Sequence, residues 1–274
     1  MMLLGSLFVL VLQASPTIVA ADIWKEIDPS QVCSTTVSWR TGIQSGSPED
    51  LEERVARIVV GGQPVWRVMH VPRDTAEAAA ASASPSAHDV YDLDAATLRP
   101  LESEHRMHEG KQPRLTRFVY EIESDRVRKL NHRGETVERI DLEGQMPLPE
   151  GPGSAAIYQA IRWRDGLRVR ASVVDRWRGS GAERLHTVEI RVVGRDAVRL
   201  QQRSVSTFVV SVQPDNHAYR ILHHVTVERP HHIVRTEYIV GSRPAFISEV
   251  VAIAPGPDCA NAAGMGAARH QPRP

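Results

Sequence analysis

Leu167-Arg168-Val169-Arg170-Ala171-Ser172-Val173 alternates apolar and polar side chains, and Val188-Glu189-Ile190-Arg191-Val192 does the same. A period of two belongs to an extended chain, whose successive side chains point to opposite faces, so each run offers one face to a core and one to water. Outward from these two runs the pattern recurs from about Val90 to Ala254. Arg114 to Ile122 carries Phe118, Tyr120 and Ile122 on one face, with Arg117 and Glu121 on the other. Further runs lie at Asp89 to Asp94, Leu98 to Met107, Asp125 to Leu130, Glu135 to Leu142, Ala197 to Gln202, Ser204 to Val212, Ala218 to Glu228, His231 to Val240 and Ala245 to Ile253. Turn residues such as Asn131-His132-Arg133-Gly134 separate them. The chain therefore reads as mainly β.

Upstream, Thr35 to Trp39 reads as a strand with Val37 and Trp39 on one face, and Val55 to Val60 with Val65 to Val71 as a hairpin across Gly61-Gly62-Gln63-Pro64. Ser45 to Glu53 reads as a polar turn, in which Ser47-Pro48-Glu49-Asp50 offers a helix start of a turn or two. Thr75 to Ala87, rich in Ala and Ser, lacks apolar periodicity and reads as a loop. Three prolines between Met146 and Gly153 exclude regular structure there. Ser154 to Trp163 is the one convincing helix, capped by Ser154 and striped by Ile157, Tyr158 and Ile161. A long twisted antiparallel sheet with one short helix hides its apolar face by curling around that helix. The expected architecture is a large curved antiparallel sheet or an incompletely closed β-barrel with one short helix. Its divisions are residues 22–88 (N-terminal strands and the Ala/Ser-rich loop), 89–254 (the main half-barrel) and 255–274 (a disordered tail of Pro, Gly and Ala).

Residues 1–21 read as a signal peptide, with an apolar stretch from Leu3 to Leu12, a small-residue exit at Val19-Ala20-Ala21 and cleavage before Asp22. No basic residue precedes that stretch, which departs from the usual leader. Its apolar core falls short of the roughly 20 residues of a membrane span, and no later segment reaches that length. The expected location is the periplasm. Export makes a disulfide between Cys33 and Cys259 chemically available; the alternative is two unrelated thiols, with Cys259 in a loose tail.

Acidic and basic residues balance at 33 each, so no global field steers nucleic acid or an anionic membrane. All but Lys25, Lys111 and Lys129 of the basic residues are arginines, scattered beside acids as on solvated strand faces. Arg162-Trp163-Arg164 and Arg176-Trp177-Arg178 interleave base and aromatic, a combination that suits a barrel mouth or a lipid headgroup better than bases in an exported protein. Twelve histidines raise a metal reading. His105 and His108 point to opposite faces of a strand, so the best candidate set is His224 with His231 or His232 across the turn at Arg229-Pro230. The simpler reading keeps His223 as a hydrogen-bonded histidine at the core or rim, with the others solvated. No G-x-S-x-G, H-E-x-x-H, C-x-x-C, P-loop or G-x-G-x-x-G occurs. Asp92 and Asp94 share a strand face, as surface carboxylates commonly do. The expectation is a non-enzyme without metal or cofactor.

Ala95-Ala96-Thr97-Leu98-Arg99-Pro100-Leu101-Glu102-Ser103-Glu104-His105 is the most distinctive stretch. With Asp125-Arg126-Val127-Arg128, Val193-Gly194-Arg195-Asp196-Ala197-Val198, Ser206-Thr207-Phe208-Val209-Val210-Ser211-Val212 and His232-Ile233-Val234-Arg235, it resembles an exported Gram-negative family of unknown function. That family is similar in fold to the lipoprotein-localisation carriers. Asp196 stands where the family usually has Glu. The resemblance spans about Asp89 to Ala254, implies a half-barrel with a helical element across its mouth, and transfers no catalytic residue. A half-open barrel leaves a concave apolar surface that can hold an apolar or amphiphilic envelope molecule, such as a lipid or a lipoprotein. By the alternation, Phe118, Tyr120, Ile157, Ile161, Val169, Ile190, Phe208, Ile221 and Tyr238 face that concavity. The alternative function is an envelope structural or assembly protein acting through its surface or an exposed sheet edge. A buried, hydrogen-bonded His and carboxylate in a cleft would instead point to a hydrolase.

Overall fold

The computed structural model describes residues 21–42, 49–72, 89–109, 112–149, 151–175, 184–215 and 218–259. The strands of the first half are β1 (Ala21–Asp22), β2 (Thr35–Thr41), β3 (Glu49–Val60), β4 (Gln63–Pro72), β5 (Asp89–Asp94), β6 (Pro100–Glu109), β7 (Gln112–Glu121), β8 (Arg126–Leu130), β9 (Thr136–Asp141) and β10 (Pro147–Leu148). After the helix α1 (Ser154–Ala160) come β11 (Arg168–Val174), β12 (Leu185–Leu200), β13 (Arg203–Pro214), β14 (Tyr219–Thr226), β15 (Ile233–Val240) and β16 (Arg243–Pro255). All belong to one sheet.

Two antiparallel meanders build it. From β2 to β9 each strand pairs with the next, as does each from β11 to β16, and β16 closes back on β2 between Pro255↔Thr35 and Glu249↔Arg40. The N-terminal strands thus occupy the middle of the sheet, and the division drawn at residue 88 crosses a continuous ladder in which β4 pairs with β5. The sheet curls without closing. Between its ends, β1 and β10 add in parallel to the free edge of β11, at Val169–Arg170 and Ser172–Val173. Side chains span the remaining seam: Arg184 Nε donates to Glu138 of β9 at 2.8 and 2.9 Å, its Nη1 donates to the Asp175 carbonyl at 3.0 Å, and the Ser172 hydroxyl bonds Gln145.

α1 lies inside the curl. Ala156, Ile157, Tyr158 and Ala160 pack against Trp66 and Val68 of β4, Tyr91 and Leu93 of β5, Val169 of β11, Ile190 of β12 and Phe208 of β13. A seven-residue helix is too short to be stable by itself, so this burial holds it. Gly153 admits the close approach at its start, since a Cβ there would sit 2.4 Å from Tyr91 Cδ1 and 2.7 Å from Pro149 Cβ. A second cluster, Phe118, Tyr120, Val127, Ile140, Leu142 and Val174, fills the end nearer the seam. A third gathers Val37, Trp39, Val234 and Val250.

Local differences from the sequence reading have local causes. Ser154 does not cap α1 through an accepting oxygen; Gly153 is the cap residue, and the Ser154 hydroxyl donates to the Gly151 carbonyl at 2.6 Å. The helix ends at Ala160 because Ile161 turns extended and bridges Ile27. Glu49 and Asp50 begin β3 rather than a helix. Ala197 to Leu200 is the end of β12, continued past Gly194 by a bulge. Pro147–Leu148 and a short 3-10 turn, Gly151–Gly153, occupy the stretch assigned no regular structure.

The Asp94-to-Pro100 motif makes the β5–β6 corner. Asp94 Oδ1 accepts from the Ala96 and Thr97 amides and from the Thr97 hydroxyl at 2.7 Å, while Leu98 takes φ 60° and buries its side chain. Pro255 to Cys259 is ordered rather than loose tail: Gly256 N donates to the Ser34 carbonyl, the Asp258 carboxylate accepts from Ser34 N, and Cys259 is joined to Cys33 by a disulfide with Cα atoms 5.0 Å apart. Gln159 of α1 accepts from Cys33 N at 3.0 Å and so ties the helix to this junction. The leader to residue 20, the Ala/Ser-rich loop, Arg176-Trp177-Arg178 and residues 260–274 lie outside the described residues.

Candidate functional site

Register places Ile190, Val212, Ile221, Tyr238 and Phe246 side by side as successive cross-strand partners from β12 to β16. The next row on the same face is Val192, Val210, His223, Thr236 and Ser248. These rows lie on the concave face, which α1 covers only in part. Between helix and sheet remains a cavity of about 520 Å³, within the usual size of small-molecule sites. Leu148, Pro149, Ser154, Ala155 and Tyr158 form its helix side, and Trp39, Thr41, Glu53 and His70 close one wall. Tyr219 stacks on Tyr238 with ring centroids 4.7 Å apart, and Phe246, 41% exposed, stands at the mouth.

Three titratable groups in this apolar space, His223, Tyr158 and Glu53, are held uncharged at neutral pH. His223 Nδ1 shares a hydrogen bond with Thr236 Oγ1 at 2.9 Å, and its ring meets the Tyr158 ring edge-on at 5.2 Å. Burial first, and then neighbouring His224, push its pKa down to about 3, so it is neutral at physiological pH. Burial likewise raises the Tyr158 hydroxyl above its ordinary value. Glu53 stands at an inward position of β3 between Leu51 and Val55, in register with His70 of β4, whose Nε2 is 3.9 Å from Glu53 Oε2. Burial pushes the Glu53 carboxyl up to about 8. The Trp39 indole opposes that shift, although Trp39 Nε1 itself is buried outside hydrogen-bond geometry with any partner among the described residues.

Of the nine residues expected to face the concavity, Ile190, Ile221 and Tyr238 line this cavity. Ile157, Ile161, Val169 and Phe208 are buried in the main core around α1, where neighbours fill the space. Phe118 and Tyr120 are also inward but belong to the second cluster and do not line the cavity, because a sheet this long addresses more than one core along its concave face. In the sequence, Trp39 and His70 fall on strands, but none of Trp39, Glu53 and His70 is singled out as a site residue. Their signal is an acid at the inward phase of Leu51-Glu52-Glu53-Arg54-Val55, whose first three residues fall in the stretch read as a polar turn.

A hydrogen-bonded His and carboxylate also exist, at another place. His105 Nδ1 lies 2.8 Å from Asp89 Oδ1 and its Nε2 lies 3.0 Å from Ser103 Oγ. These are the roles of a nucleophile, base and orienting acid. Ser103 is only 1% exposed and does not line the cavity, and the His105 ring is walled by Tyr91 and Phe118 at 5.3 and 5.7 Å. In this arrangement the hydrogen bonds satisfy the three polar groups.

The His224, His231 and His232 set is not assembled. His231 Nδ1 is 2.8 Å from the Thr226 carbonyl, His224 lies between Asp196 and Glu237 at 3.7 Å from each, and burial lowers all three pKa values. Among the described residues, no group of three or more His, Cys, Asp or Glu side chains is placed to hold a metal. No helix of the described residues is long and apolar enough to cross a membrane. No protein-family model matches this chain, and neither does any curated protein sequence.

Proposed function

We propose that this is an exported, non-catalytic binding protein that holds an apolar or amphiphilic envelope molecule, a lipid or the acyl part of a lipoprotein, inside its half-barrel. The observation that carries this reading is the cavity between α1 and the sheet, walled by aromatic and aliphatic side chains and reaching the surface beside Phe246. At roughly the 30 Å³ a water takes up in the liquid, 520 Å³ accommodates about 17 groups of methylene size, the scale of one acyl chain. Each buried methylene contributes about 0.8 kcal/mol before association costs. The leader-like N-terminus and the disulfide favour the periplasm as the place of action.

The test is native mass spectrometry of the mature protein purified gently from its own envelope fraction, followed by denaturing extraction and lipid analysis. A stoichiometric amphiphile that is lost in a folded Ile221→Arg variant is the expected result. A clean apo mass with no uptake on incubation refutes the reading. It would favour a second one, assembly through β9, whose ladder has a strand partner on one side only among the described residues and whose Val137 is 56% exposed.

A further inference from the structure

We propose that Trp39, Glu53 and His70 form the head-group seat of this cavity, and that its occupant is a single-chain apolar molecule ending in an uncharged oxygen acceptor, a protonated carboxyl or an ester carbonyl. This rests on the reading of the cavity as a ligand site and names the ligand's chemistry.

Three neighbouring strands build the seat. Trp39 of β2 is the register partner of Leu51, two positions from Glu53 on β3, and Glu53 is the partner of His70 on β4. All three line the cavity. An indole N–H can only donate; Trp39 is 7% exposed, and its Nε1, near enough to the Glu53 carboxyl to oppose its shift, lies outside hydrogen-bond geometry with every partner among the described residues. A buried donor without a partner is uncommon in folded proteins and calls for an acceptor. Protonated at neutral pH, Glu53 can both donate and accept. The described lining includes no Lys or Arg, so a phosphate or sulfate head would bury its charge unpaired, and no ionised carboxylate balances a quaternary amine at neutral pH. Away from the seat, the Ile190-to-Phe246 row offers an apolar track for the chain.

Calorimetric titration of the whole mature protein tests this, with methyl dodecanoate, dodecanoic acid, dodecylphosphocholine and headless decane as probes. At pH 6 the wild type should bind methyl dodecanoate at least tenfold more tightly than dodecylphosphocholine. Trp39→Phe keeps a ring but loses the donor, and should weaken the ester about threefold to tenfold while leaving decane within twofold. Glu53→Gln keeps a donor but does not titrate, so its ester affinity serves as the pH-independent reference. Raising the pH past 8 ionises Glu53 and should weaken the ester in the wild type but not in Glu53→Gln. The other titratable groups lining the cavity are His70, His186, His223, Tyr158, Tyr219 and Tyr238, and both proteins share them. A tighter acid at pH 6, where the free acid is largely ionised and takes up a proton on entering, identifies a free fatty acid, and a tighter ester an acylated molecule; either then presents an uncharged oxygen head in the cavity. Equal ester affinity in the wild type and Trp39→Phe, or equal affinity for ester and phosphocholine, overturns the seat while leaving the cavity reading intact. Failure of every alkyl probe to bind the wild type, decane included, overturns the cavity reading itself. Should Trp39→Phe not fold, the pH profiles of the wild type and Glu53→Gln decide: parallel profiles overturn the seat.

Discussion

Replacing Glu53 with Gln separates the burial of this side chain from its ionisation. The folded protein holds the carboxyl at about 8, against an ordinary value of 4.5 that the unfolded chain retains. Below pH 4.5 both states carry the proton and the group contributes nothing to pH dependence. Between pH 4.5 and 8 the unfolded chain releases its proton while the folded chain keeps it, so wild-type stability falls as pH rises, by up to about 1.36 kcal/mol per pH unit. Above pH 8 both states are ionised and the loss levels off at about 5 kcal/mol. Gln is nearly isosteric and does not titrate. Urea unfolding of wild type and Glu53→Gln at half-unit steps from pH 4.5 to 9 should therefore give curves that diverge, the variant gaining steadily to about pH 8 and holding its advantage beyond. Titrations common to both proteins drop out of the difference. Parallel profiles would refute the reasoning, because they would mean that Glu53 is solvated or carries a compensating partner in the folded state.

Gly153→Ala should destabilise the protein by about 1–3 kcal/mol in the same assay, since its new methyl meets the Tyr91 ring, itself fully packed; a change under about 0.5 kcal/mol would show that the helix start can shift. Cys33→Ser with Cys259→Ser, or reduction, should cost about 5 kcal/mol on the chain-entropy account, because the residues joined are 226 apart in sequence; unfolding with and without reductant measures it, and an unchanged midpoint would count against the link. Ile221→Arg should keep the fold by circular dichroism yet lose bound amphiphile at least tenfold, whereas Val137→Arg, on the exposed edge of β9, should leave binding unchanged.

The strands were legible wherever alternation was uninterrupted, as from Arg168 to Val174, where inward side chains answer one another across β11 and β12. Interruptions misled in physical ways. Val188 to Val192 and Ala197 to Gln202 read as separate runs, yet β12 joins them in one strand along β13, with a bulge between Val192 and Gly194. Ile161 continues the helical stripe in sequence but is taken by a bridge to Ile27, a contact 134 residues away that periodicity cannot express. The position of β2 to β4 in the middle of the sheet depends on β16 meeting β2, which no local pattern encodes. The apolar row of the cavity was partly visible through Ile190, Ile221 and Tyr238. Its polar wall was not, because an inward acid becomes intelligible only when the neighbouring strands supply Trp39 and His70.

The meeting of β2 with β16 also bears on how the chain reaches this state. Pairings within each meander join strands that follow one another in sequence and close cheaply, whereas β2 waits with an open edge until the last strand of the chain arrives. Until then that edge offers unpaired backbone groups, and if the chain is exported from its N-terminus as proposed above, it stays open for most of the passage. Cys33 just ahead of β2 and Cys259 just beyond β16 approach each other only when these two strands have paired, so their oxidation is a covalent record that the two meanders have joined.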